Sequence, residues 1–91
     1  MVYTEEQISL LGRLHSMLES DGITRSEDFI KMFQVIAFIP IEVISGSIGR
    51  PVEEVESWTK EGSSIPGKEE WPDIVKGVMK LMRRIFFSLP E

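Results

Sequence analysis

A chain of 91 residues with a formal net charge of −5 has room for one domain and one hydrophobic core. An apolar share of 42% against 27% charged residues is that of an ordinary folded domain and excludes a disordered chain. The acidic balance argues against broad nonspecific nucleic-acid binding, and the lack of cysteine removes disulfides, thiolate–zinc sites and thiol nucleophiles.

The first residues, MVYTEEQ, are acidic and helix-capping rather than basic and apolar, so no signal peptide and a cytoplasmic location are expected. Thr4 to Gln7 form a capping box, in which the threonine oxygen takes an orphan amide and the glutamine reaches back. Ile8, Leu11, Leu14 and Leu18 then recur at helical spacing, giving an amphipathic helix from about residue 5 to 20. Asp21-Gly22 ends it, because glycine accepts the left-handed conformation. Thr24 and Glu27 suggest a second capping box, opening a helix through Phe29, Ile30, Phe33, Val35 and Ile36.

The run VIAFIPIEVI, from Val35 to Ile44, has the β-branched content of a buried strand. Pro40 interrupts it, however, and no partner strand is evident elsewhere, so Pro40 is expected to open a third, short helix to about Ser47. The longest apolar run, Val35 to Ile41, is far short of the roughly 18 residues a membrane span needs, so no membrane partner is expected. Pro51 opens a fourth helix, residues 51 to about 60, closed by Gly62. After a loop from Ser63 to Glu70, Trp71-Pro72 starts a final helix with Ile74, Val78, Leu81, Met82 and Ile85 on one face. Leu89-Pro90 ends it. The expectation is one all-α domain, residues 1–91, of five helices without strands or repeats.

Within this frame the spacing between Ile44 and Pro66 carries the main signal. Ser45, a small residue, follows Ile44, and Ile48 precedes Gly49. Val55 and Trp58 lie three apart, and Gly62 and Pro66 follow. This stretch resembles the lambda-repressor-like (Cro-like) helix-turn-helix family, with the unit at about residues 40–62 and the N-terminal helix as an addition to that core. Each position has a physical reason. Gly49 turns the chain at positive φ, Ser45 lets one helix cross the other closely, and Val55 with Trp58 makes the buried stripe of the second helix.

The resemblance implies a small dimeric DNA-binding transcriptional regulator. Its recognition helix would present Val52, Glu53 and Ser57 to the bases of double-stranded DNA, while Arg50, Lys60, Ser63 and Ser64 would hold phosphates. Two departures accompany it. One extra residue lies near Lys60-Glu61, and the first-helix phosphate position falls on Ile41, which has no donor. Glu53 can accept from a cytosine amino group, whereas Glu54 and Glu56 repel phosphates. The alternative is a helix-turn-helix-like module that has lost DNA binding and takes a protein partner through its acidic second helix or apolar C-terminus.

Three further features bear on function. Lys76, Lys80, Arg83 and Arg84 on the last helix form either a basic strip for phosphates or an acidic partner, or a solvated face with cations near a helix C-terminus. Phe86 and Phe87 are adjacent, so one helix face cannot bury both, and they are candidate homodimer-interface residues. His15, the single histidine, lies beside Leu14 and Leu18 and is read as a packing or surface residue. No metal, cofactor or catalytic constellation is expected, and the chain is not expected to be an enzyme.

Overall fold

The computed structural model describes residues 3–58 and 65–87, and these form five α-helices with no strand among them. The first, α1 (Glu5–Ser20), starts at the expected capping box. Gln7 donates its amide to Thr4 Oγ1 at 3.1 Å, and the Thr4 amide donates to Gln7 Oε1 at 2.9 Å. Glu5 and Glu6 add favourable charge to its first turn, and Leu11, Leu14 and Leu18 are its buried stripe. It ends where Gly22 adopts φ +68°.

The second helix, α2 (Ser26–Val35), departs from expectation at its start. Thr24 and Glu27 make no capping box. Arg25 occupies the cap with no side-chain hydrogen bond, and its carbonyl accepts from the amides of Asp28 and Phe29 at 3.1 Å. The helix begins one residue later than a Thr24 cap requires, and the Glu27 carboxylate is drawn to the Arg25 guanidinium at 3.1 Å instead. Ile36 is the first residue beyond the helix, and residues 36–38 turn the chain, so the β-branched run is no strand.

The next pair, α3 (Ile41–Ile48) and α4 (Val52–Ser57), are each preceded by a proline. Pro40 and Pro51 sit at the cap rather than at the first helical position, one residue earlier than expected. Their ψ angles of 132° and 147° are extended, as a cap residue requires. Between the two helices Gly49 is left-handed at φ +72°. Its amide and that of Arg50 donate to the Ser45 carbonyl at 2.9 and 3.1 Å. A Cβ at Gly49 would meet no neighbour, so the constraint is conformational alone. Gly49→Ala is therefore expected to lower stability by about 1–2 kcal/mol, read by urea unfolding, with the helical content of the folded state unchanged.

The α4 helix ends at Ser57 with Trp58 as its C-cap, short of the expected reach to about residue 60, while the closure at Gly62 and the closing Leu89-Pro90 lie outside the described residues. Of the anticipated loop, the last part, Lys68–Glu70, is a 3-10 turn leading into α5 (Trp71–Phe87). The expected face of α5 is buried throughout, joined by Trp71.

The core is one cluster centred on four rings. Phe29 stacks on Trp71 with centroids 5.5 Å apart, and Trp58 meets Phe29 and Phe33 at 5.4 and 5.3 Å. Trp58, at the C-terminal end of α4, thus anchors that helix to α2, while Trp71 anchors the start of α5. The Trp71 indole also donates to the Pro66 carbonyl at 2.9 Å, fixing the approach to α5.

The α3 and α5 helices cross in close contact at Gly77. The Ser47 hydroxyl donates to the Gly77 carbonyl at 2.9 Å, and a Cβ on Gly77 would lie 2.8 Å from Ile48 Cγ2. The two-helix unit α3–α4 is therefore seated on α5 through Ile48 and on α2 through Trp58.

Candidate functional site

The α4 helix is where the sequence places its exposed chemistry. Val55 and the following Trp58 are 1% exposed, so they point inward, and the residues between and before them point outward by helical periodicity. Glu53 and Glu56 are exposed, while Val52, Glu54 and Ser57 are half-buried. The Ser57 hydroxyl donates to the Glu54 carbonyl at 2.7 Å, which turns its donor back into the helix and leaves only acceptor capacity outward.

Arg50 is the residue whose surroundings differ most from a phosphate contact. Its Nη1 lies 3.0 Å from Glu54 Oε1, and its Nη2 donates to Glu70 Oε1. The guanidinium is thus clamped between a carboxylate one helical turn ahead and another brought in by the 3-10 turn. The hydrogen bond to Glu70 is the main cause holding Arg50 more firmly protonated than usual, with the charges of Glu70 and Glu54 adding to it. Reciprocally, the hydrogen bond from Arg50 holds the Glu70 carboxyl below the usual glutamate range against the opposing effect of burial. Two carboxylates against one guanidinium leave this corner of the molecule negative, with Glu53 beside it.

A lowered carboxyl pKa stabilises the fold above the ordinary glutamate value and loses that contribution as pH falls through the folded-state value. Glu70→Gln should accordingly melt at a lower temperature than the wild type at neutral pH. The gap should close as pH falls below about 4, and melting curves across a pH series would show it. Both side chains are part-exposed, so the effect is small.

The other expected phosphate contacts, Lys60, Ser63 and Ser64, lie outside the described residues. Ile41 is half-buried against the core and offers no donor. Lys68 sits with its ammonium 6.0 Å from the Trp71 ring, and Arg25, at the start of α2, is held by Glu27 and Asp28.

Phe86 and Phe87 also part company. Phe86 packs half-buried on α1, its ring 6.1 Å from that of His15, whereas Phe87 is 88% exposed. Of the two rings, Phe87 is the more exposed to another molecule. His15 directs Nδ1 to Glu19 Oε1 at 3.2 Å, and its buried Nε2 finds no partner among the described residues. Among the described residues no three His, Asp or Glu side chains group closely enough to hold a metal ion, and no helix is long and apolar enough to cross a membrane.

Two features escaped the residue pattern. Glu70 lies 20 residues from Arg50, and no local rule joins them. Likewise a shallow groove of about 360 Å³ opens between α1 and α2, floored by Leu14, Met17, Met32 and Val35 with Arg13 and Lys31 at its rim. No family model matches the chain, and neither the curated proteins nor the solved structures contain a match to it.

Proposed function

We propose that the chain is a helix-turn-helix-type interaction module that binds a basic segment of a partner protein through the acidic face of α4. The observation that carries this is the capture of Arg50 by Glu54 and Glu70 beside exposed Glu53. Among the described residues the cation beside α4, Arg50, is neutralised, so a phosphate backbone would meet carboxylates there, whereas lysine or arginine side chains would find acceptors.

Binding of a labelled Arg/Lys-rich peptide, followed by fluorescence anisotropy, tests it. The expected result is salt-dependent binding to the wild type that Glu53→Lys weakens several-fold, with no genomic DNA fragment retained at low salt. Retention of a discrete DNA fragment by the folded protein would overturn it.

A second reading, a dimeric transcriptional regulator on double-stranded DNA, is favoured by the left-handed Gly49 between α3 and α4 and by the buried Val55 and Trp58. These are the positions on which the resemblance to lambda-repressor-like proteins rests. On that reading Val52, Glu53 and Ser57 meet bases, and Arg50 reaches a phosphate once it leaves Glu54 and Glu70. A homodimer would then draw on Phe87, with Phe86 already engaged by α1. The two readings separate cleanly at the double variant Glu54→Gln/Glu70→Gln, which removes both carboxylates from Arg50. It strengthens duplex binding on the second reading and leaves duplex binding absent on the first.

A further inference from the structure

The charges on α5 are arranged differently from those of the rest of the chain. Four cations stand against one carboxylate, Asp73, so with a total of −5 everything outside α5 carries −8. Lys76, Lys80, Arg83 and Arg84 are all exposed. By helical periodicity Lys76, Lys80 and Arg83 fall within about 60° of one another, opposite the buried stripe of Ile74, Val78 and Ile85. Phe87, 88% exposed, continues the same line at the end of the helix.

Favourable interaction with the helix dipole fades beyond the last turn, where Arg84 lies, so it does not account for Lys76 and Lys80 two to three turns earlier. Nor does intramolecular pairing, because none of Lys76, Lys80 and Arg83 forms an ion pair with a described residue. Instead Lys76 with Lys80, and Lys80 with Arg84, are like charges at i, i+4, which weaken a helix.

We propose that the outer face of α5 is a docking surface for an acidic amphipathic helix of a partner protein, separate from the α4 face. Charge complementarity selects an acidic occupant, and the helical period selects its form. Carboxylates at i and i+4 of an opposing helix repeat at about 6 Å, as do the cations of α5. From Lys76 to Arg83 the strip runs about 11 Å, and one apolar side chain beyond it covers Phe87.

An anionic membrane fits less well, since the apolar face of α5 is committed to the core and only Phe87 could enter the interface. A nucleic-acid backbone extends past so short a strip and then meets the −8 remainder.

The test is fluorescence anisotropy with a labelled helical peptide bearing glutamates at i, i+3 and i+4 along one face and a leucine at its end. A scrambled peptide of equal composition, a DNA duplex and phosphatidylserine vesicles serve as comparisons. The triple variant Lys76→Gln/Lys80→Gln/Arg83→Gln is expected to weaken peptide binding about tenfold, and Phe87→Ser severalfold, with Tm retained. Glu53→Lys on α4 leaves this binding unchanged, so failure here and failure of the α4 reading are distinguishable.

Unchanged affinity in the triple variant overturns the proposal, as does tighter binding of duplex, vesicles or scrambled peptide. Sedimentation showing self-association that the variant abolishes would place a second copy on the strip and overturn the occupant assigned. If circular dichroism shows the triple variant unfolded, Lys80→Gln alone and the salt dependence of the wild type decide it. Affinity that is indifferent to salt between about 50 and 200 mM overturns it.

Discussion

Trp58→Ala is expected to lower stability by about 3–5 kcal/mol, the largest loss of any single truncation in α4 or at its C-cap. The indole is 1% exposed and meets both Phe29 and Phe33 edge-on or tilted, so truncation opens a cavity at the centre of the ring cluster. A domain of this length has about 5–14 kcal/mol in total, so the variant approaches the limit of folding. Each kcal/mol moves the melting temperature by about 4–8 °C in a domain this small, giving an expected fall of about 12 °C or more. Thermal melts and urea titrations followed by circular dichroism would measure it. Trp58→Phe, which keeps a ring against Phe29, should recover most of the loss. A shift of only a few degrees for the alanine variant would mean that α4 is held by something other than Trp58. The consequence for binding is direct, because the six residues of α4 have Val55 and Trp58 as their buried anchors.

What could be read from the chain, and what could not, follows the range of the interactions. Thr4 with Gln7, the left-handed Gly22 and Gly49, and the buried stripes of α1 and α5 are set by residues within a turn of one another, and each was legible. The Thr24 capping box was not realised because two local rules competed at that site, and the Arg25 pairing with Glu27 and Asp28 prevailed over the cap. Pro40 and Pro51 marked the right boundaries but serve as caps, since the two positions differ only in ψ. At the candidate site, the acidic character of α4 was plain from Glu53, Glu54 and Glu56. The fate of Arg50 was half-plain: Glu54 is an i, i+4 partner, while Glu70 arrives only because the 3-10 turn folds back beside α4. Adjacent Phe86 and Phe87 predicted that one ring would face outward. Which one does so depends on α1 lying across that end of α5 and presenting His15 to Phe86.

Substitutions at Gly77 are expected to have the next largest effect, because they act on the seat of the whole α3–α4 unit. On propensity alone, Gly77→Ala in mid-helix would stabilise α5 by about 1 kcal/mol. A methyl group there, however, would lie 2.8 Å from Ile48 Cγ2 and 3.0 Å from Ile48 Cα. The second contact is with backbone, so a change of rotamer at Ile48 does not relieve it and α3 must move away from α5. That movement also stretches the hydrogen bond from the Ser47 hydroxyl to the Gly77 carbonyl. Overpacking of this kind costs about 1–3 kcal/mol, which after the propensity gain leaves a net loss of up to about 2 kcal/mol, and Gly77→Val should cost more than alanine. Urea unfolding of the two variants checks the order. Adding Ile48→Ala to Gly77→Ala removes the 2.8 Å contact while leaving the 3.0 Å one. The double variant should thus be less destabilised than the sum of the singles by about 0.5 kcal/mol or more. Because Ile48 immediately precedes Gly49, a displaced α3 carries α4 with it. Gly77→Ala should therefore weaken binding at the α4 face in a protein that is still folded, whereas Gly49→Ala loses stability without a steric reason for α3 to leave α5. If Gly77→Ala instead stabilises the fold, α3 and α5 yield to one another more readily than their close crossing implies.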